Sequence, residues 1–124
     1  MMNSKKWHFK KEWETWVRTL DYIQQENVFL KNCIADIIKN DIRRDMLEQV
    51  EYFQNQFINK DAVIALLRYD IANQSRFSEY GFERNGEFVK LQARQSKLRS
   101  DMEKMENEFS KLKFQFNTYL AEAS

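Results

Sequence analysis

The chain is 124 residues long, one domain's worth, and its 20 basic and 19 acidic residues leave a net charge of +1. No bulk field steers it toward a polyanion, so any nucleic-acid or lipid contact has to be local. Proline is absent and glycine occurs only at Gly81 and Gly86, which predicts long helices, while 43% hydrophobic and 31% charged content excludes both a disordered tail and a membrane-embedded chain.

The first segment carries apolar residues spaced alternately by three and four at Phe9, Trp13, Trp16, Leu20, Ile23, Leu30, Ile34 and Ile37, with Asn27 as the interruption. This spacing predicts an amphipathic helix over about 8–39. An asparagine on such a seam sets register at some loss of stability, or marks a wet spot. Val17, Cys33 and Ile38 flank the seam and widen its apolar stripe.

The start of this helix, KKWHFKKEWETW from Lys5 to Trp16, holds every tryptophan of the chain. Trp13 and Trp16 fall on the seam and read as core, which leaves Trp7 in need of another explanation. Lys5, Lys6, Lys10 and Lys11 around Trp7 are a candidate anion contact, because interfacial aromatics beside lysines suit an anionic lipid surface. Glu12 and Glu14 break that basic run at once, which favours an ordinary bundle end.

Between the first two helices only Lys39, Asn40 and Asp41 signal a break, followed by Asp45 and Glu48 in capping-box spacing. The ladder Ile34, Ile38, Ile42, Met46, Val50 could instead carry one helix straight through. A separate second helix over about 42–79 is the preferred division. Its seam is Met46, Val50, Phe53, Phe57, Ile64, Leu67, Ile71 and Gln74, with Lys60 as the odd member and a weak second break at Asn59 to Asp61. Beside it runs a further stripe of Ile58, Ala62, Ala65, Leu66, Tyr69 and Ala72. One seam does not need so wide an arc, so these six residues are the expected interface, with the alanines permitting close approach of a second copy.

Residues 81–86 supply a glycine for a left-handed helix end and an asparagine for a helix start, predicting a turn. A third seam then runs Phe88, Leu91, Gln95, Leu98, Met102, Met105, Phe109, Leu112, Phe116 and Tyr119, giving a helix over about 87–121. Parallel self-pairing of this helix would set Arg94 against Arg99 and Asp101 against Glu106, two repulsions. Its expected partner is therefore an antiparallel helix of the same chain. Arg84, Lys90, Arg94 and Lys97 form a modest basic stripe without any recognition-helix pattern, which argues against nucleic acid.

For catalysis and metals the inventory is thin. His8 is the only histidine, so paired-histidine metal motifs are missing, and His8 with Glu12 makes a poor site near a fraying end. Cys33 reads as a small apolar residue rather than a nucleophile. Asp41, Asp45 and Glu48 suit the start of a helix dipole, with a carboxylate metal site as the outlying alternative. No cofactor or metal is expected. The lone cysteine and the absence of a leader-like apolar stretch in MMNSKKWHF point to the cytoplasm. The expectation is an all-α protein, a long antiparallel three-helix bundle of coiled-coil-like character occupying 1–124 as one domain. Its expected role is a non-enzymatic interaction or scaffold subunit that binds itself through helix 2 and also another protein. The alternative is a peripheral binder of anionic membrane or nucleic acid through the N-terminal lysines and Trp7.

Overall fold

The computed structural model describes residues 3–40, 43–80 and 87–123. Three helices account for nearly all of them: α1 (Asn3–Lys39), α2 (Arg44–Tyr80) and α3 (Glu87–Ala123). Each has 37 residues and is therefore about 55 Å long. Cross-helix bonds give the directions. Asn27 bonds to Phe57 and Asp61, and Asp21 to Arg68, so α1 and α2 are antiparallel. Lys60 reaches Glu108 while Gln74 reaches Leu91, so α2 and α3 are antiparallel too. Trp13 meets Gln95 and Glu26 meets Lys113, which places α1 and α3 parallel. The chain is an up-down-up bundle.

The three seams converge to make the core. Phe57 and Phe116 are wholly buried, as are Leu20, Ile34 and Val50, each such side chain contributing about 1.5–3 kcal/mol by leaving water. One end of the rod is aromatic: Phe53 and Phe57 of α2 meet Phe116 of α3 edge-on at 5.2 and 5.5 Å, and Phe57 meets Phe109 at 6.4 Å. Such tilted pairs add about 0.5–1.5 kcal/mol each beyond their buried area. The seam members at the rod ends, Ile37, Met46, Phe88 and Tyr119, are only partly buried and pack against this core.

The other end is held by a buried polar network across all three helices. Trp13 donates its indole N–H to Gln95 Oε1 at 2.8 Å, and Gln74 Nε2 donates to the same oxygen at 3.2 Å and to the Leu91 carbonyl at 2.8 Å. Gln95 Nε2 in turn donates to Glu12 Oε1 at 3.0 Å. An indole N–H can only donate and a carboxylate only accept, so the orientation of the Gln95 amide is forced from both sides. Glu12 is completed by Arg99, which grips it with two bonds of 2.7 Å. Nearer the middle, the wholly buried Asn27 donates to the Phe57 carbonyl at 2.9 Å and to Asp61 at 2.7 Å. The seam asparagine thus ties α1 to α2.

Some boundaries differ from the sequence expectation. α1 begins at Asn3, five residues before the expected start at 8, because a helix end needs no apolar residue and the seam begins only at Phe9. α1 and α2 are separate helices, as the preferred division has it: α1 ends at Lys39 and α2 begins at Arg44, and the Asn40 backbone N–H and side chain both donate to the Asp36 carbonyl. Asp45 lies inside the first turn of α2, not ahead of it, so it is no N-cap. α2 runs unbroken through Asn59 to Asp61, where Lys60 and Asp61 are drawn to opposite neighbours, Glu108 of α3 and Lys31 of α1. The Gly81 to Gly86 turn and Asp41 lie outside the described residues.

Replacing Gln95 by leucine keeps the volume but strands the Trp13 and Gln74 donors. Urea unfolding followed by circular dichroism should show a loss of about 2–4 kcal/mol relative to the parent.

Candidate interaction surface

The side of α2 turned away from its two neighbours carries Ile58, Ala62, Ala65, Leu66, Tyr69 and Ala72, all exposed. Leu66 and Tyr69 leave 59% and 61% of their surface open, and Tyr52 extends the same face. The structure therefore brings the six expected interface residues together on one exposed stripe. Between Glu51 and Arg76 this outward face carries no charged residue: its other members are Tyr52, Asn55, Asn59 and Asn73. Charges at its edge are committed elsewhere. Asp61 accepts from Asn27 and Lys31, and Arg68 donates to Asp21 at 2.7 Å and to Gln24 at 2.6 Å, all on α1.

The corresponding face of α1 is shorter, and that of α3 differs in kind. α1 exposes Tyr22, Val28 and Phe29 on an outward run that Asp21 and Asp36 bound more closely than Glu51 and Arg76 bound that of α2. α3 repeats lysine at Lys90, Lys97, Lys104 and Lys111, with Phe114 standing alone as an open aromatic at 72% exposure. Single apolar residues among charges are ordinary surface, whereas a continuous uncharged apolar stripe is unusual on a soluble helix.

The N-terminal tract is divided as its periodicity predicts. Trp13 and Trp16 are buried in the core and Trp7 is 54% exposed. Lys5 and Lys10 are exposed, and Lys6 is partly buried. The lysines are engaged locally: the Lys11 ammonium lies 5.5 Å from the Trp7 ring centre and 3.5 Å from Glu14, and that of Lys5 lies 5.4 Å from the Phe88 ring. His8 packs edge-on against Trp7 with ring centres 5.0 Å apart. Cys33 is a free, half-buried thiol beside the seam. Among the described residues no three His, Cys, Asp or Glu side chains converge on a point that could hold a metal ion, and no helix is long and apolar enough to cross a membrane.

Two grooves flank α2. One of about 480 Å³ against α3 is lined by Asp70, Phe77, Arg94, Lys97 and Asp101. Here the Arg94 guanidinium sits 4.3 Å from the Phe77 ring centre and Lys97 bonds Asp101 at 2.8 Å, which raises the Lys97 pKa. The other, of about 520 Å³ against α1, is lined by Lys10, Trp13, Val17, Arg18, Arg68 and Ala72. Ala72 joins this groove to the outward stripe.

Two ion pairs absent from the sequence expectation stitch α1 to α3: Glu12 with Arg99, and Glu26 with Lys113 at 3.0 Å. Their signal is present in the heptad pattern, since both acids flank the first seam on one side and both bases flank the third. The Arg99 bonds hold the Glu12 carboxyl below its ordinary value of 4.5 in spite of partial burial, and the bond from Lys113 lowers Glu26 in the same way.

No protein-family model, curated protein or solved structure matches this chain.

A carboxyl with a depressed native pKa stabilises the fold above its unfolded value and loses that contribution as pH falls through the native one. The stability gap between the parent and Glu12→Gln should be present at neutral pH and narrow progressively as the pH falls below 4.5, as read from denaturant midpoints.

Proposed function

We propose that the protein is a non-enzymatic assembly or scaffold subunit of the cytoplasm that associates with itself through the outward face of α2 and offers its remaining surface to another protein. The observation that carries this is the uncharged stripe from Tyr52 to Asn73, whose alanines sit between larger apolar residues. Alanines let two helix backbones approach closely, and Ile58, Leu66 and Tyr69 supply the apolar area that drives association. A bundle about 55 Å long is stiff enough to hold partners at fixed spacing. Ala65→Glu and Tyr69→Glu should each reduce the mass seen by light scattering across a concentration series while leaving the helical signal intact. Unchanged mass in both would overturn the assignment.

One observation bears on contact with anionic lipid or nucleic acid: Trp7 is exposed among lysines, while the other two tryptophans are buried. Any fluorescence shift on binding therefore reports Trp7. On the assembly model, mixing with phosphatidylglycerol vesicles or with duplex DNA at low salt produces no shift; a shift that disappears on adding salt would establish the peripheral role instead.

A further inference from the structure

The uncharged stripe of α2 is bounded by one acid and one base, Glu51 and Arg76, both exposed. Along the helix the stripe reads Glu51, Asn55, Ile58, Ala62, Ala65, Tyr69, Ala72, Arg76, stepping alternately by four and three. That order has the same spacing from either end, and its charges are opposite at the two ends. We infer that a second copy of the chain docks on this face with its α2 antiparallel, so that the two-fold axis passes between Ala62 and Ala65 and Glu51 of each protomer faces Arg76 of the other.

This step rests on the assembly role proposed above and specifies its geometry. A closed dimer needs one patch that is complementary to itself, and a two-fold axis perpendicular to a helix pairs each position with its mirror position along the stripe. With the axis between Ala62 and Ala65, those two alanines meet at the crossing, where the backbones come closest. Ile58 then lies against Tyr69, Asn55 against Ala72, and an acid against a base at each end. Sliding the register by one step to centre on Ala65 would set Glu51 against Glu79, a like-charge contact at each end. A parallel arrangement would set Glu51 against Glu51 and Arg76 against Arg76, two like-charge contacts with nothing to relieve them. The antiparallel pairing centred between the alanines therefore sets Glu51 against Arg76 at both ends, with Glu48 and Glu79 meeting one step beyond. Between those ends the two helices would share about 37 Å of uncharged surface. Asp61 and Arg68, the charges nearest the crossing, are already turned toward α1 by their bonds to Lys31 and Asp21.

The test is charge exchange in the full-length protein, read as the dimer dissociation constant by sedimentation equilibrium at low salt, with circular dichroism to confirm folding. Glu51→Arg and Arg76→Glu each turn both end contacts into repulsions and should weaken the dimer about tenfold. The double variant Glu51→Arg/Arg76→Glu restores opposite charges and should return to within about twofold of the parent. Recovery in the double variant supports the pairing. No recovery, with Ala65→Glu still abolishing the dimer, would overturn the antiparallel register while leaving α2 as the interface. A dimer untouched by Ala65→Glu would overturn the interface itself. A parent chain that stays monomeric across the series would overturn the second copy as occupant.

Discussion

Every helix of this bundle meets at one amide. Gln95 of α3 accepts from Trp13 of α1 and from Gln74 of α2, and gives its own N–H to Glu12 of α1. The apolar seams alone leave the register open, because a seam repeated every seven residues fits its partner nearly as well after a slip of one heptad. A slip would strand the Trp13 donor and the Gln95 and Gln74 amides in a dry core, at about 1–3 kcal/mol for each unpaired group. Asn27 applies the same constraint between α1 and α2 near the middle of the rod. The native contacts are not perfect: the carbonyl oxygens of Asn27 and Gln74 are buried without a protein donor. These polar groups thus specify the alignment more than they strengthen it.

Orientation is settled by charge on the seam flanks. Arg99 and Lys113 lie on one flank of α3, where a parallel copy of α3 would meet Arg99 with Arg94. Within the chain they meet Glu12 and Glu26 of α1 instead. Arg99, which disfavours α3 pairing with itself, therefore favours α1 as its parallel neighbour. The Glu12 pair is the stronger device, since two bonds from a planar guanidinium fix both distance and direction and the carboxylate is also held by Gln95. Ordinary solvent-exposed pairs such as Lys97 with Asp101 contribute little by comparison.

The core was legible in the sequence because helical burial follows spacing. Apart from Lys60, which pairs with Glu108, the expected seam residues form the buried core or pack against it, including the polar members Asn27, Gln74 and Gln95. Ser78 continues the α2 seam in space, but a serine carries no apolar signal, and its hydroxyl is satisfied locally by the Ser75 carbonyl. The helix start at Asn3 and the break near Asn40 were poorly marked, since a first turn needs no apolar residue and the isoleucines around Asn40 fit either course. For the surface, spacing placed Ile58 to Ala72 on a second stripe of α2, and their exposure follows. The commitment of Asp61 and Arg68 to α1 was not visible, because it depends on which helix lies beside that edge. Trp7 was separable from Trp13 and Trp16 by the same periodicity.

An odd number of helices has a mechanical consequence. Because the chain goes up, down and up, Asn3 and Ala123 lie at opposite ends of the rod. A pull applied between them runs along the helix axes. Tension then loads the α1–α2 and α2–α3 contacts in shear, so that many side chains must slide together before any helix leaves. In a two- or four-helix hairpin with both ends on one side, the same pull would peel contacts apart a turn at a time. The buried amides resist sliding more sharply than apolar side chains do, since a hydrogen bond is lost within a fraction of an ångström of displacement whereas dispersion contacts re-form in the next groove. Gln95 and Asn27 thus act as catches along the direction in which the rod would be stretched.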